Sequence, residues 1–109
     1  MRLVKVIGAA LVLLSTSAAA QGPDPASFTP DKIKAGSDVY AIYCTPCHGP
    51  QMEYPGGSFD LRTFPPGQFA RFEASVTKGK NNMPPWGEVL QPGELEALWA
   101  YVMAGEKKR

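Results

Sequence analysis

Polar and apolar positions along the chain fall into three helical patterns separated by long irregular stretches. Thr29-Pro30-Asp31 reads as a helix start, with a capping hydroxyl, a proline at the first helical position and an acid in the first turn. Ile33, Gly36, Val39, Tyr40 and Tyr43 then recur on one helical face, which predicts a helix running into position 44. Gly36 lies on that face, where glycine costs about 1 kcal/mol relative to alanine. Its predicted purpose is the close approach of another helix. From Gly67 to Lys78 the residues Phe69, Phe72 and Val76 share a face, and Gly79 is placed to terminate the helix. The last helix is predicted to begin near Pro92. It carries Leu95, Leu98, Trp99, Val102 and Met103 as an amphipathic stripe and stops at Gly105. Strand-like alternation and internal repeats are absent. The pattern predicts an all-α domain of three to four short helices with long loops.

Two of the connecting stretches are too long or too stiff to be simple links. Residues 50–66 (PQMEYPGGSFDLRTFPP) are too rich in proline and glycine for regular structure. So long an irregular segment inside a small domain points to one that wraps something. Residues 80–87 (KNNMPPWG) form a loop stiffened by consecutive prolines.

The first twenty residues change the picture of where the protein works. Arg2 and Lys5 precede an apolar run from Val6 to Leu14, and Ala18-Ala19-Ala20 offers a cleavage site. That order is a secretory signal peptide, with an apolar run too short to span a bilayer. Residues 1–20 are therefore expected to be removed, and residues 21–28 (QGPDPASF) to form a flexible lead-in. A domain over 29–105 and a basic tail over 106–109 follow. The mature chain is expected in the periplasm, with no stable membrane insertion after cleavage. Without Arg2 and Lys5, nine basic residues face ten acidic ones. A nucleic-acid partner would require a concentrated basic footprint, so none is expected. A domain this small buries little surface and usually needs a disulfide, a metal or a cofactor to complete it.

The candidate for that role is YCTPCHG, residues 43–49, which holds both cysteines and the sole histidine. Structural zinc wants four ligands, and this cluster supplies three. A thiol–disulfide oxidoreductase would use Cys44 and Cys47, but it favours a motif that opens a helix after a buried strand, and it leaves His48 without a role. Covalent c-type haem uses every residue: the two thiols add to the two vinyl groups, and the adjacent His48 ligates the iron.

A second axial ligand, if there is one, must then be a methionine. Met52 lies too close to His48 in sequence, and Met103 sits on the apolar stripe of the last helix. Met83 lies in the proline-stiffened loop, far enough along the chain to come round the cofactor edge, and is the predicted ligand. The competing arrangement is a five-coordinate iron with Met83 as a loop hydrophobe.

Taken together, Gly36 with Tyr40, Cys44-Thr45-Pro46-Cys47-His48-Gly49, Asn82-Met83-Pro84-Pro85-Trp86-Gly87 and Leu98 with Tyr101 resemble the class I c-type cytochromes. The resemblance covers Thr29 to Gly105. It implies a small cytochrome c fold around one covalently bound haem c, with the first and last helices crossing nearby. The glycine and aromatic residue of the first helix would pack on the leucine and tyrosine of the last. It also implies a backbone carbonyl that accepts a hydrogen bond from the proximal imidazole, for which Pro55 is the candidate. Arg62 and Trp86 are candidates for the haem propionates. The implied function is one-electron transfer without catalysis. MPPWGEVL and the LWAYV helix also resemble small periplasmic cytochromes serving quinoprotein alcohol dehydrogenases. That resemblance implies such a dehydrogenase as donor and an oxidase or another cytochrome as acceptor. The alternatives are an open-site haem protein acting on peroxide or binding a gas, and the thiol–disulfide oxidoreductase.

Overall fold

A computed structural model describes Gly8 and residues 22–53 and 58–106. Apart from Gly8, the expected leader lies outside the described residues, as do Pro55 and residues 107–109 of the basic tail. Among the described residues the regular structure is helical: α1 (Pro30–Tyr43), α2 (Thr45–His48), α3 (Phe69–Lys78) and α4 (Glu94–Ala104). Single 3-10 turns occur at Pro25–Ser27, Pro50–Met52 and Leu61–Thr63. No helix among the described residues is long and apolar enough to cross a membrane.

α1 starts where its capping chemistry predicts. The Thr29 hydroxyl accepts a hydrogen bond from the Lys32 amide at 3.2 Å, satisfying one of the free donors at the helix start. Ahead of it, Phe28 packs against the core. The buried face of α1 is Gly36, Val39 and Tyr40, with Ile33 and Tyr43 half-buried at its ends.

That face lies on α4, and Gly36 is what lets the two backbones meet. A Cβ at Gly36 would overlap the Ala97 carbonyl and lie 2.9 Å from the Tyr101 Cβ. Beside this contact the Tyr40 and Tyr101 rings pack with centroids 5.1 Å apart. The Tyr40 hydroxyl donates to the Gly49 carbonyl at 2.5 Å, tying α1 to the end of α2.

α4 departs from the one-sided stripe that its larger residues predict. Every residue from Ala97 to Val102 is buried, and Ala100 is fully so. α1 covers one side of the helix. On the other, Trp99 packs against Phe64, Phe69 and Phe72, with centroids 5.8, 5.4 and 5.0 Å away. Burying side chains of this kind contributes roughly 1.5–3 kcal/mol each. α4 is thus the central element rather than a half-exposed cover.

α3 ends at Gly79, whose φ of 81° is a left-handed conformation that a side chain would strain. The chain then folds back on the helix it has just left. The Trp86 amide donates to the Val76 carbonyl at 2.8 Å and the Gly87 amide to Thr77 at 3.1 Å. Carbonyls that a helix C-terminus leaves free are used to fix the following loop.

Candidate functional site

α1 and α2 present the cysteine–histidine motif as one continuous turn. The Cys44 amide closes on the Tyr40 carbonyl at 2.9 Å, and the His48 amide closes on Cys44 at 2.9 Å. Both thiols and the imidazole therefore follow helical spacing. They line a cavity of about 740 Å³ with Met83 and Trp86 from the 80–87 loop, while Leu98 and Val102 of α4 add apolar wall. A volume of roughly 300–1,000 Å³ is usual for a site enclosing a small organic cofactor.

The cysteines are free rather than bridged. Burial pushes the Cys44 thiol up to about 12, with proximity to Cys47 adding to the shift. Thiol exchange needs the opposite, a lowered value that populates thiolate. His48 is half-buried, and desolvation lowers its pKa below the ordinary imidazole range, against a smaller raising effect of the Phe59 carbonyl. The neutral imidazole is the ligating form. Its Nδ1 lies 3.2 Å from the Phe59 carbonyl oxygen. With the proton on Nδ1 as donor, the lone pair of Nε2 is free for a metal. The Ser58 hydroxyl donates to the Cys47 carbonyl at 3.2 Å, holding the same segment against α2.

Met83 is presented by a tight turn. The Lys80 amide donates to the Met83 carbonyl at 3.1 Å and the Met83 amide to Lys80 at 2.9 Å, with Asn81 between them at φ 56°. Trp86 packs on Tyr43 at a centroid distance of 5.0 Å, joining the methionine loop to the end of α1. Of the other described methionines, Met52 is buried in the core and Met103 packs against it, and neither lines the cavity.

The remaining expected site residues divide. Trp86 lines the cavity, whereas Pro55 lies outside the described residues. Arg62 is not among the cavity residues. Its Nη2 donates to the Gln51 carbonyl at 2.8 Å and lies 3.8 Å from Glu53 Oε1. Two contributors escaped the sequence reading. Phe59 acts through its carbonyl, which every residue type possesses, so no sequence signal marks it. Arg71 lines the cavity from α3 and stacks on Phe59 and Phe64. Its one sequence clue is a lone cation between two phenylalanines of the apolar face.

The thiols, neutral imidazole, thioether and apolar walls fit a covalently held haem. Residues 31–102 match the family model described as "Cytochrome C oxidase, cbb3-type, subunit III". The chain is also similar to the quinohemoprotein alcohol dehydrogenase ADH IIB of Pseudomonas putida, with 31% identity over 87 residues. That similarity takes in 77% of this chain and 13% of the dehydrogenase, so the chain spans a small part of its curated relative.

Proposed function

The chain belongs to the class I c-type cytochromes, and we propose that it is a periplasmic one-electron carrier linking a quinoprotein alcohol dehydrogenase to an oxidase or another cytochrome. Covalently bound haem c and haem-based electron transfer are properties of the family. The finer assignments concern residues and partners. Cys44 and Cys47 would hold the haem through thioethers, and His48 and Met83 would ligate its iron. Residues 29–105 make up the haem-bearing domain, and residues 1–20 are the export leader.

The observation that carries this reading is one cavity lined by both free thiols and His48 of one short motif together with Met83 from a distant loop. The bound haem supplies a one-electron ferric–ferrous couple. The chain's own residues do the rest. Phe59 orients the imidazole through its carbonyl, and the Lys80–Met83 turn presents the thioether in one geometry. Tyr43 and Trp86, packed ring on ring, form one side of the cavity wall. Thioether sulfur favours the ferrous state and raises the potential relative to a second imidazole. An open site acting on peroxide would want acid–base groups beside the iron. Glu53 and Glu88 are exposed, and among the described residues no carboxylate lines the cavity. The alcohol dehydrogenase as donor is supported by the similarity to the quinohemoprotein enzyme.

Absorption spectroscopy of the purified exported protein tests the assignment. A pyridine haemochrome of the two-thioether type and a methionine–iron charge-transfer band in the ferric state are expected. High-spin ferric bands would overturn the six-coordinate carrier, and a protein without haem would overturn the whole reading. The donor is tested by mixing the ferric protein with a quinoprotein alcohol dehydrogenase and its alcohol. Reduction no faster than without the enzyme would exclude that partner.

A further inference from the structure

We infer that Asn81 is a positioning residue for the sixth iron ligand, a role that rests on the Met83 assignment above. Its left-handed backbone closes the turn that presents Met83, and so sets how readily the thioether yields to another ligand. Residues 80–83 form a two-residue hairpin. Lys80 and Met83 exchange both backbone hydrogen bonds, at 3.1 and 2.9 Å, and pair as an antiparallel bridge. So tight a hairpin needs a positive φ at its first central residue, because only then does the backbone twist bring its two ends together. Asn81 holds that position at φ 56°, whereas Asn82, the second central residue, has no positive φ. One residue's conformation therefore closes the hairpin. Asparagine tolerates the left-handed region better than most residues, and a β-branched side chain tolerates it worst.

The hairpin is clamped at its neck and free at its tip. At the neck, a Cβ on Gly79 would lie 2.7 Å from the Met83 carbonyl oxygen and 3.0 Å from the Pro85 nitrogen, so the returning strand lies directly on the end of α3. Beyond Met83, Pro84 and Pro85 carry no amide proton, and the next backbone donor is Trp86, bonded to Val76. Between Gly79 and Trp86, the backbone hydrogen bonding among the described residues thus rests on the Lys80–Met83 pair. At the tip, Asn81 and Asn82 are exposed at the cavity mouth, while Met83 is half-buried. Displacing the thioether from the iron releases the hairpin from its closed form. A side chain that disfavours the left-handed backbone at position 81 raises the free energy of that closed form. The methionine-ligated state loses that amount relative to the open one, and an incoming ligand gains it as apparent affinity.

The test titrates the ferric holoprotein with imidazole, following loss of the methionine–iron charge-transfer band, and records Tm alongside. The variants are Asn81→Val, Asn81→Gly and, as a positional control, Asn82→Val. Asn81→Val is expected to bind imidazole about tenfold more tightly than wild type, the range set by the cost of a left-handed side chain. Asn81→Gly should bind it no more tightly than wild type, because glycine takes this backbone freely. Asn82→Val should stay close to wild type. Unchanged imidazole affinity in Asn81→Val, even with a lowered Tm, would reduce the residue to a structural role and overturn the inference. So would an equal gain in Asn82→Val. A gain in Asn81→Gly matching that of Asn81→Val would assign the effect to the lost amide rather than the backbone, and also overturns it. If Asn81→Val yields no holoprotein, Asn81→Ala decides by the same criterion. A wild-type protein that lacks the charge-transfer band would instead defeat the Met83 assignment, and with it the basis of this role.

Discussion

Gly36→Ala sets two measurable effects against each other. Helix propensity alone predicts stabilisation, since alanine is favoured over glycine by about 0.8–1.0 kcal/mol inside a helix. The structure predicts the reverse. The new Cβ would overlap the Ala97 carbonyl and approach the Tyr101 Cβ at 2.9 Å. Its nearest obstacle is backbone of a helix buried on all sides, not the end of a flexible side chain. Overpacking a tight core costs typically 1–3 kcal/mol, and a backbone obstacle places this site at the upper end. After the propensity gain, a net loss of about 2 kcal/mol is expected. In a domain of this size that lowers Tm by roughly 8–16 °C. Thermal unfolding of the holoprotein, followed by far-UV circular dichroism, reads the change directly. The exposed neighbour Ala35 supplies the control: Ala35→Gly should cost only the propensity term, about 1 kcal/mol. A Gly36→Ala variant with an unchanged or higher Tm would refute the close-approach argument, and propensity would be the correct account of this position.

Three further outcomes are expected. Replacing Cys44 and Cys47 together by serine should abolish covalent haem and leave the domain largely unfolded; circular dichroism showing a stable helical fold would contradict the cofactor's role in completing the core. Met83→Ala should turn a low-spin ferric spectrum into a high-spin or exogenously ligated one, and an unchanged spectrum would assign the sixth position to another residue. Tyr40 is raised from its ordinary value to about 12, chiefly by burial. The folded state holds this proton more tightly than the unfolded one, so the contribution is full below about pH 10 and is lost as pH rises toward 12. Denaturant titrations across that range should show a shallower alkaline decline in Tyr40→Phe. The variant should also be less stable at neutral pH by about 1–3 kcal/mol, because the buried Gly49 carbonyl loses its donor.

Local chemistry was the most legible part of this chain. The Thr29 cap, the Gly79 terminus and the helical faces of α1 and α3 depend on neighbours a few residues away, and the sequence displays those neighbours directly. The grouping of Cys44, Cys47, His48 and Met83 around one cavity was also legible, because few residue types can attach haem covalently or ligate its iron and this chain holds few of them. Tertiary features were not. Ala97 and Ala100 look neutral in a periodicity count, and only the approach of α1 makes their small size matter. The carbonyl at His48 belongs to the backbone, so the identity of Phe59 does not announce it. Arg62 and Arg71 are the same residue type in comparable sequence surroundings. What separates them is the direction each side chain takes once α3 and the 50–53 loop have packed.

The central position of α4 has a consequence for the order in which the domain forms. α1 is synthesised first, but residues 44–93 must follow before its principal partner exists. Closing a loop of that length early would cost chain entropy with no contact yet available to offset it. Until α4 docks, the aromatic cluster around Trp99 has no centre and Gly36 has nothing to approach. During that interval Cys44 and Cys47 sit in an open chain, within reach of whatever chemistry is to be done on them. Docking of the last helix then gathers the aromatic cluster, so the core is completed only by the last element to be synthesised.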